Sequence, residues 1–145
     1  MSLLSDSQDQ GLLSHIQEFK HTTMDFKILN EMRLTGMFCD VTLVAGNVNI
    51  LAHKILLVSS SPYFFALLAR GFMENKSSRI PIEDVNPDIL SLLVEYIYTS
   101  KIMITQNNVL DIFICSKMLQ LWKVTTACAV SISENIYSQT SRKPA

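Results

Sequence analysis

Apolar and polar residues alternate most clearly between residues 41 and 52. Every second position is apolar from 41 to 45 and again from 48 to 52, and the pair Gly46-Asn47 lies between the two runs. A period of two is typical of a strand with one buried face, and Gly and Asn tolerate the positive φ that tight turns require. The segment therefore predicts a β-hairpin.

After the hairpin the pattern becomes helical. An apolar run at residues 55–58 ends in three serines, and Pro62 follows directly. Serine is a favoured N-cap and proline a favoured first residue of a helix. One helix is therefore predicted to end before Ser61 and the next to begin at Pro62.

Other segments carry weaker patterns. Apolar residues at three- and four-residue steps predict a helix over residues 23–34, closed by Gly36. The remaining predicted elements are a helix at 62–68, a strand at 78–82, a helix at 88–98, a strand at 101–104, a helix at 107–121, and a helical hairpin over 108–130 broken near Trp122. Polar composition predicts a flexible segment at 1–15 and a disordered tail at 138–145, which leaves one domain at 16–137.

Composition narrows the classes of function. The 145 residues are 48% hydrophobic and 17% charged, with a formal net charge of −1. Phosphate binding needs clustered Lys and Arg, so we expect no direct contact with nucleic acid. No apolar run reaches the ~18 residues of a membrane span, and the first residues do not form a signal peptide. We expect a protein of the cytoplasm, with the nucleus as the alternative, that reserves apolar surface for partners.

The sequence predicts neither an enzyme nor a bound cofactor. Cys39, Cys115 and Cys128 are widely spaced and distant in sequence from any histidine, so core packing explains them better than a metal site. His53 lacks the neighbours that mark nucleophilic catalysis, and the 4 glycines form no phosphate-binding loop. We expect His53 to form hydrogen bonds at a strand-to-helix junction.

Several ordered motifs resemble those of the BTB/POZ family of protein-interaction domains. The hairpin is followed by His53-Lys54 and Pro62-Tyr63-Phe64, and residues 80–90 match the third strand and the next helix of that family. Residues 96–102 are close to the family signature Tyr-x-Tyr-Thr-Gly-Lys, with Ser100 in place of Gly. The likeness covers residues 26–136. It implies an α+β fold, in which a small mixed sheet is flanked by helices.

The first predicted helix is apolar on more than one side. A small domain that cannot bury all such residues commonly presents the surplus to a second copy, although packing on the strands explains part of the pattern. In the BTB/POZ family the equivalent helix lies in a dimer interface, so the resemblance also implies a homodimer. The residues assigned to this interface are Phe26, Leu29, Met32, Arg33, Met37 and Phe38.

Asp40 and Lys54 match family positions that form a charged pocket near the dimer groove. Two half-buried opposite charges would be kept as a pair, because either charge alone would face a large desolvation cost. The alternative is that Lys54 is a solvated charge at the end of the strand.

The segment Phe72-Met73-Glu74 resembles the apolar-x-Glu motif by which kelch-like members of the family dock the cullin-3 ubiquitin ligase scaffold. An apolar anchor would supply binding energy and the carboxylate would fix the register. The segment also fits a simpler interpretation, in which Phe72 covers the edge of the core and Glu74 is solvated. The resemblance implies a homodimeric adaptor for cullin-3. The alternative is a homotypic scaffold or a repression module of the BTB-zinc-finger type that binds corepressor peptides.

Overall fold

A computed structural model describes the backbone of residues 16–19, 25–74 and 78–141, and the side chains of these residues except 70–74 and 139–141. In chain order the described elements are α1 (Phe26–Thr35), β1 (Val41–Ala45), β2 (Val48–Ala52), α2 (Lys54–Ser60), α3 (Pro62–Glu74), β3 (Arg79–Pro81), α4 (Pro87–Thr99), α5 (Val109–Met118) and α6 (Trp122–Ser141). They form the predicted α+β fold, with helices around a small mixed sheet. The segment 1–15, predicted to be flexible, lies outside the described residues.

The sheet has the order β2-β1-β3. Strands β1 and β2 pair antiparallel along their whole length across a two-residue turn, which confirms the predicted hairpin. Gly46 has a φ of 58°, whereas the φ of Asn47 is not positive. Type II′ turns have this pattern, because they need a positive φ only at their first central residue. Strand β3 pairs parallel to the other edge of β1, within the strand predicted at 78–82.

Helix α4 supplies much of the core. Asn86 caps its first turn by accepting a hydrogen bond from the Asp88 backbone at 2.9 Å, and Pro87 is its first residue. Its buried side chains recur at three- and four-residue steps and are Ile89, Leu90, Leu93, Val94, Ile97 and Tyr98. Because each buried aliphatic side chain contributes roughly 2 kcal/mol, α4 is a principal support for the elements that pack on it.

The break between α2 and α3 falls at Ser61, as the sequence predicts. The Ser61 hydroxyl accepts a hydrogen bond from the backbone N–H of Phe64 at 3.2 Å and donates one to the carbonyl of Leu119 at 2.6 Å. The first bond caps α3, and the second ties this junction to the turn between α5 and α6. Pro62 is the first residue of α3, where a missing N–H costs nothing.

Helices α5 and α6 form the predicted helical hairpin. Residues 119–121 join them, and the hydroxyl groups of Ser116 and Thr125 lie 2.9 Å apart across the pair. No Gly or Pro occurs between Trp122 and Ser141 to end the helix, so α6 includes residues 138–141 of the segment predicted as a disordered tail. Among the described helices, none has the length and apolar character that a membrane span requires.

Two other predictions differ from the structure by a whole element or by several residues. Residues 101–105 are irregular rather than a strand, because the Asn108 side chain takes their hydrogen bonds: it accepts from the backbone of Thr105 at 2.7 Å and donates to the carbonyl of Met103 at 3.0 Å. Helix α3 continues past residue 68 to Glu74, because Gly71 weakens a helix by about 1 kcal/mol without ending it.

Candidate functional site

Helix α1 and the turn after it expose a group of apolar side chains. Asp25 caps the helix by accepting a hydrogen bond from the backbone of Lys27 at 2.9 Å, and Gly36 ends it with a φ of 79°. The exposed apolar side chains, here called the α1 face, are Phe26, Ile28, Leu34, Met37 and Phe38, with exposed fractions of 42%, 53%, 66%, 55% and 79%. Apolar surface of this extent beside a well-formed core is typical of an interaction site.

The residues predicted for the dimer interface divide into three groups. Phe26, Met37 and Phe38 lie on the α1 face, whereas Leu29 and Met32 are half-buried. Arg33 is only 7% exposed and has little surface to offer a partner.

The sequence prediction did not assign Ile28 and Leu34 to the interface. The local sequence does not single them out. They lie off the row of positions 26, 29 and 33 that runs along one side of a helix, but Phe26 in that row is exposed too. Two of those positions, Leu29 and Arg33, are the ones that turn inward.

A polar network lies beneath the α1 face. The guanidinium group of Arg33 lies 5.2 Å from the centre of the Tyr98 ring, and its Nε and Nη2 donate to Asn30 Oδ1 at 3.0 and 2.9 Å. The Tyr98 hydroxyl lies 2.6 Å from Nδ1 of His53, at the junction of β2 and α2. The prediction that His53 forms hydrogen bonds at this junction is confirmed.

A hydrogen bond from the backbone of Lys54 to the side chain of Asp40 links these two residues. Oδ1 of Asp40 accepts from the backbone N–H of Lys54 at 2.7 Å, at the first residue of α2. Because the His53 side chain makes no capping bond, Asp40 supplies the carboxylate that a helix N-terminus favours. The structure therefore joins the two residues through a helix cap, and the pairing of their charges stays a prediction.

An apolar groove runs between α2 and α3. It encloses about 420 Å³. Besides Asp40 and Lys54, its lining residues are Ile55, Val58, Phe65, Leu68 and Ala69. Ile55 and Phe65 are 69% and 60% exposed, so the groove has apolar walls that are open to solvent. A groove of this kind can receive apolar side chains from a peptide.

The predicted docking segment, Phe72-Met73-Glu74, forms the last turn of α3. Its side chains lie outside the described residues. The sequence had placed this segment after the end of the helix, whereas the backbone shows it as part of the helix. The motif is therefore carried by regular structure rather than by a loop.

The cysteines are free thiols in two kinds of environment. Cys115 and Cys128 are buried, which confirms their prediction as core residues, whereas Cys39 is half-buried beside the polar network. Burial raises the pKa of all three, to about 11 for Cys115, and for Cys39 the negative charge of Asp40 adds to the effect while Arg33 opposes it. Across residues 16–19, 25–74 and 78–141, no group of three or more His, Cys, Asp or Glu side chains could hold a metal ion.

Comparison with known proteins assigns the class. Residues 29–136 match the family model described as the BTB/POZ domain. The chain therefore belongs to the BTB/POZ family of adaptor-type interaction domains. A solved structure, the BTB domain of zebrafish PATZ1, superposes with a TM-score of 0.68 at 24% identity, covering 79% of this chain and 99% of that one. At this identity the likeness is one of fold alone.

Similar curated proteins belong to the kelch-like group. Kelch-like protein 3 from Homo sapiens and from Bos taurus is in each case 37% identical over 117 residues, which cover 81% of this chain and 20% of the relative. Kelch-like protein 2 from Homo sapiens is 33% identical over the same length. The chain thus spans a fifth of the length of these relatives.

Proposed function

We propose that the chain is a homodimeric adaptor whose two copies associate through the α1 face. The observation that carries this proposal is the exposure of five apolar side chains on one helix and its following turn, while Leu29 and Arg33 anchor the same helix inside. Burying this face would remove apolar surface from water, which is the main driving force of association. In a symmetric dimer the same patch serves both copies, so each residue contributes twice.

The adaptor role in this proposal includes docking of the cullin-3 ubiquitin ligase scaffold, so that bound substrates are ubiquitinated. Support comes from the Phe72-Met73-Glu74 motif, from its place in the last turn of α3, and from the identity shared with kelch-like proteins. A large apolar side chain in a pocket is a typical centre of binding energy, and a neighbouring carboxylate fixes orientation. The proposal places the protein in the cytoplasm.

Self-association is tested with a matched pair of leucines. Leu34 on α1 and Leu110 on α5 are 66% and 61% exposed, so replacing either by Glu has a small effect on folding. Leu34→Glu would place two unpaired charges in the dimer seam, and we expect the dissociation constant to rise at least about 100-fold. Leu110→Glu should leave it unchanged. Sedimentation equilibrium measures both, and a wild-type monomer at micromolar concentration would contradict the dimer.

Cullin-3 docking is tested by calorimetry with the N-terminal region of cullin-3. We expect Phe72→Ala to cost about 2 kcal/mol or more, roughly thirtyfold in affinity, and Glu74→Ala to cost less because a carboxylate at the rim stays hydrated. Phe65→Ala removes an exposed aromatic ring from the same helix and serves as the control. Binding that depends on Phe65 but not on Phe72 would show that the docking segment is wrongly assigned.

A second candidate is a homotypic scaffold or a repression module of the BTB-zinc-finger type, acting in the nucleus. The apolar groove between α2 and α3 favours it, because Ile55, Val58 and Phe65 could take the side chains of a corepressor peptide. The two candidates differ in the calorimetric experiment. Absence of binding between the wild-type chain and cullin-3 would contradict the ligase role and support the second candidate.

A further inference from the structure

The turn between α1 and β1, residues 36–39, holds an unusual backbone conformation. Two of its residues have a positive φ, Gly36 at 79° and Phe38 at 59°. Gly36 has no Cβ and adopts this conformation freely, whereas Phe38 pays a steric cost for it. The Phe38 ring is 79% exposed, so packing within the chain does not offset that cost. A hydrogen bond from the backbone N–H of Cys39 to the carbonyl of Gly36, at 3.3 Å, closes the turn around Phe38.

Part of the support comes from the end of α1 itself. The backbone N–H of Gly36 donates to the carbonyl of Arg33 at 3.2 Å, and that of Met37 donates to Met32 at 2.9 Å. These two bonds form a Schellman motif, which commonly ends a helix at a glycine. Together with the bond from Cys39 to Gly36 they close the backbone of the turn. None of these three bonds uses the carbonyl of Met37, directly before Phe38.

His53 holds that carbonyl from inside the protein. Its Nε2 lies 2.8 Å from the carbonyl oxygen of Met37. A carbonyl only accepts, so we assign the proton to Nε2 as the donor. In the neutral ring Nδ1 is then the acceptor, and the Tyr98 hydroxyl donates to it at 2.6 Å. The same hydroxyl accepts the backbone N–H of His53 at 2.8 Å. Every polar atom of the pair is thereby satisfied.

This network links an exposed turn to the centre of the core. Tyr98 is fully buried in α4 and His53 is 8% exposed, so neither ring is free to reorient. Met37 and Phe38, by contrast, are 55% and 79% exposed on the α1 face. Through these hydrogen bonds the imidazole links the turn that carries Met37 and Phe38 to the buried helix α4. A second copy of the chain would contact these two residues.

We propose that His53, fixed by Tyr98, is a positioning residue for self-association. It holds residues 36–39 in one conformation, so that Met37 and Phe38 enter the interface already ordered. Without His53, ordering the loop and its side chains would make the free energy of association less favourable. Preorganisation of the turn removes that cost. In a symmetric dimer the benefit occurs at both copies. This inference rests on the proposed dimer and adds how its contact surface is held.

Two substitutions of His53 separate its hydrogen bond to Met37 from that of its ring to Tyr98. The amide of Gln reaches the place of Nε2, so His53→Gln keeps a donor for the Met37 carbonyl and loses the acceptor for Tyr98. The shorter Asn reaches only the place of Nδ1, so His53→Asn keeps a partner for Tyr98 and releases the turn. We expect His53→Asn to weaken the dimer at least about tenfold more than His53→Gln does. This difference should hold whichever of the two variants has the lower melting temperature. Sedimentation equilibrium gives the affinities and thermal melting gives the stabilities.

A purely structural role would make affinity follow melting temperature. Thr125→Val tests for this, because it removes a hydroxyl that contacts Ser116 between α5 and α6 and should lower the melting temperature without changing the affinity. Should either His53 variant fail to fold, Tyr98→Phe replaces it. This variant removes the hydroxyl that fixes Nδ1 and should weaken the dimer relative to the wild type.

Each outcome decides between the proposals. A wild-type chain that stays monomeric contradicts the dimer itself. A wild-type dimer whose affinity is unchanged in His53→Asn and Tyr98→Phe contradicts only the positioning role. So does an affinity that falls in step with the melting temperature across all variants, Thr125→Val included.

Discussion

The Ser61 hydroxyl joins two parts of the fold. It is 1% exposed, caps α3 and donates to the carbonyl of Leu119 in the turn between α5 and α6. Ser61→Ala would leave buried polar groups without partners, and we expect the free energy of unfolding to fall by about 1–3 kcal/mol. Ser59→Ala is the control, because its exposed hydroxyl donates to the carbonyl of Leu56 within its own helix. Urea denaturation that gave equal losses for the two variants would contradict this role.

Single residues show what the sequence can and cannot predict. The hydrogen-bonding role of His53 and the capping role of Ser61 follow from residue type beside a strand or helix end, and both are confirmed. Arg33 could not be placed in the same way. Its burial depends on stacking over Tyr98, which lies far along the chain and on another helix. Local sequence contains no information on that contact.

At the scale of elements, Gly36 and Gly46 both have a positive φ, and we expect substitution of Gly36 to cost more stability. A Cβ at Gly36 would lie 3.3 Å from Leu51 Cδ1, whereas at Gly46 it would lie 3.7 Å from Pro87 Cγ, an ordinary contact. Both alanine variants place a Cβ at a positive φ, which costs at least about 1–2 kcal/mol, and Gly36→Ala adds the close contact. We therefore expect a larger loss of stability for Gly36→Ala than for Gly46→Ala.

Gly36→Asn completes this series. Asparagine tolerates the left-handed conformation better than alanine, so it should recover part of the loss if backbone strain is the main cost. Chemical denaturation of the three variants gives the order. A Gly36→Ala protein as stable as the wild type would show that the helix does not depend on this cap.

Elements whose hydrogen bonds are local were predicted well. The hairpin has its own turn and pairing partner within the same short segment, and α4 carries its cap, its proline and its apolar pattern together. A strand was predicted at residues 101–104, but a strand also needs a neighbour, and the Asn108 side chain bonds two backbone groups of this segment instead. The local sequence therefore predicted an element that the described chain does not form.

For the whole molecule, burial of acidic groups predicts loss of stability in alkali. Burial raises the pKa of Cys115 from 9.0 to about 11 and that of Tyr98 from 10.0 to about 12. Between these values the unfolded chain has lost protons that the native chain still holds. The free energy of unfolding must therefore fall as the pH rises from 9 to 12, and these two groups contribute no pH dependence below that window.

Thermal melting between pH 8 and pH 11.5 measures this effect. We expect the melting temperature to fall with rising pH, and Cys115→Ala to show a smaller fall between pH 9 and pH 11 because that thiol no longer titrates. The comparison is made within each variant, so the cavity left by the substitution does not affect it. A wild-type melting temperature that is constant up to pH 11 would contradict the burial of these groups.

The sequence by itself determined the class of this protein. Period-two alternation, helix caps and the ordered BTB/POZ motifs depend on neighbours along the chain, and they predicted the α+β fold and most of its elements. Tertiary structure alone decided which side of α1 is free, because Leu29 and Arg33 turn inward while Ile28 and Leu34 stay exposed. Exposure is the surface left after distant elements have packed, and no local pattern contains that information.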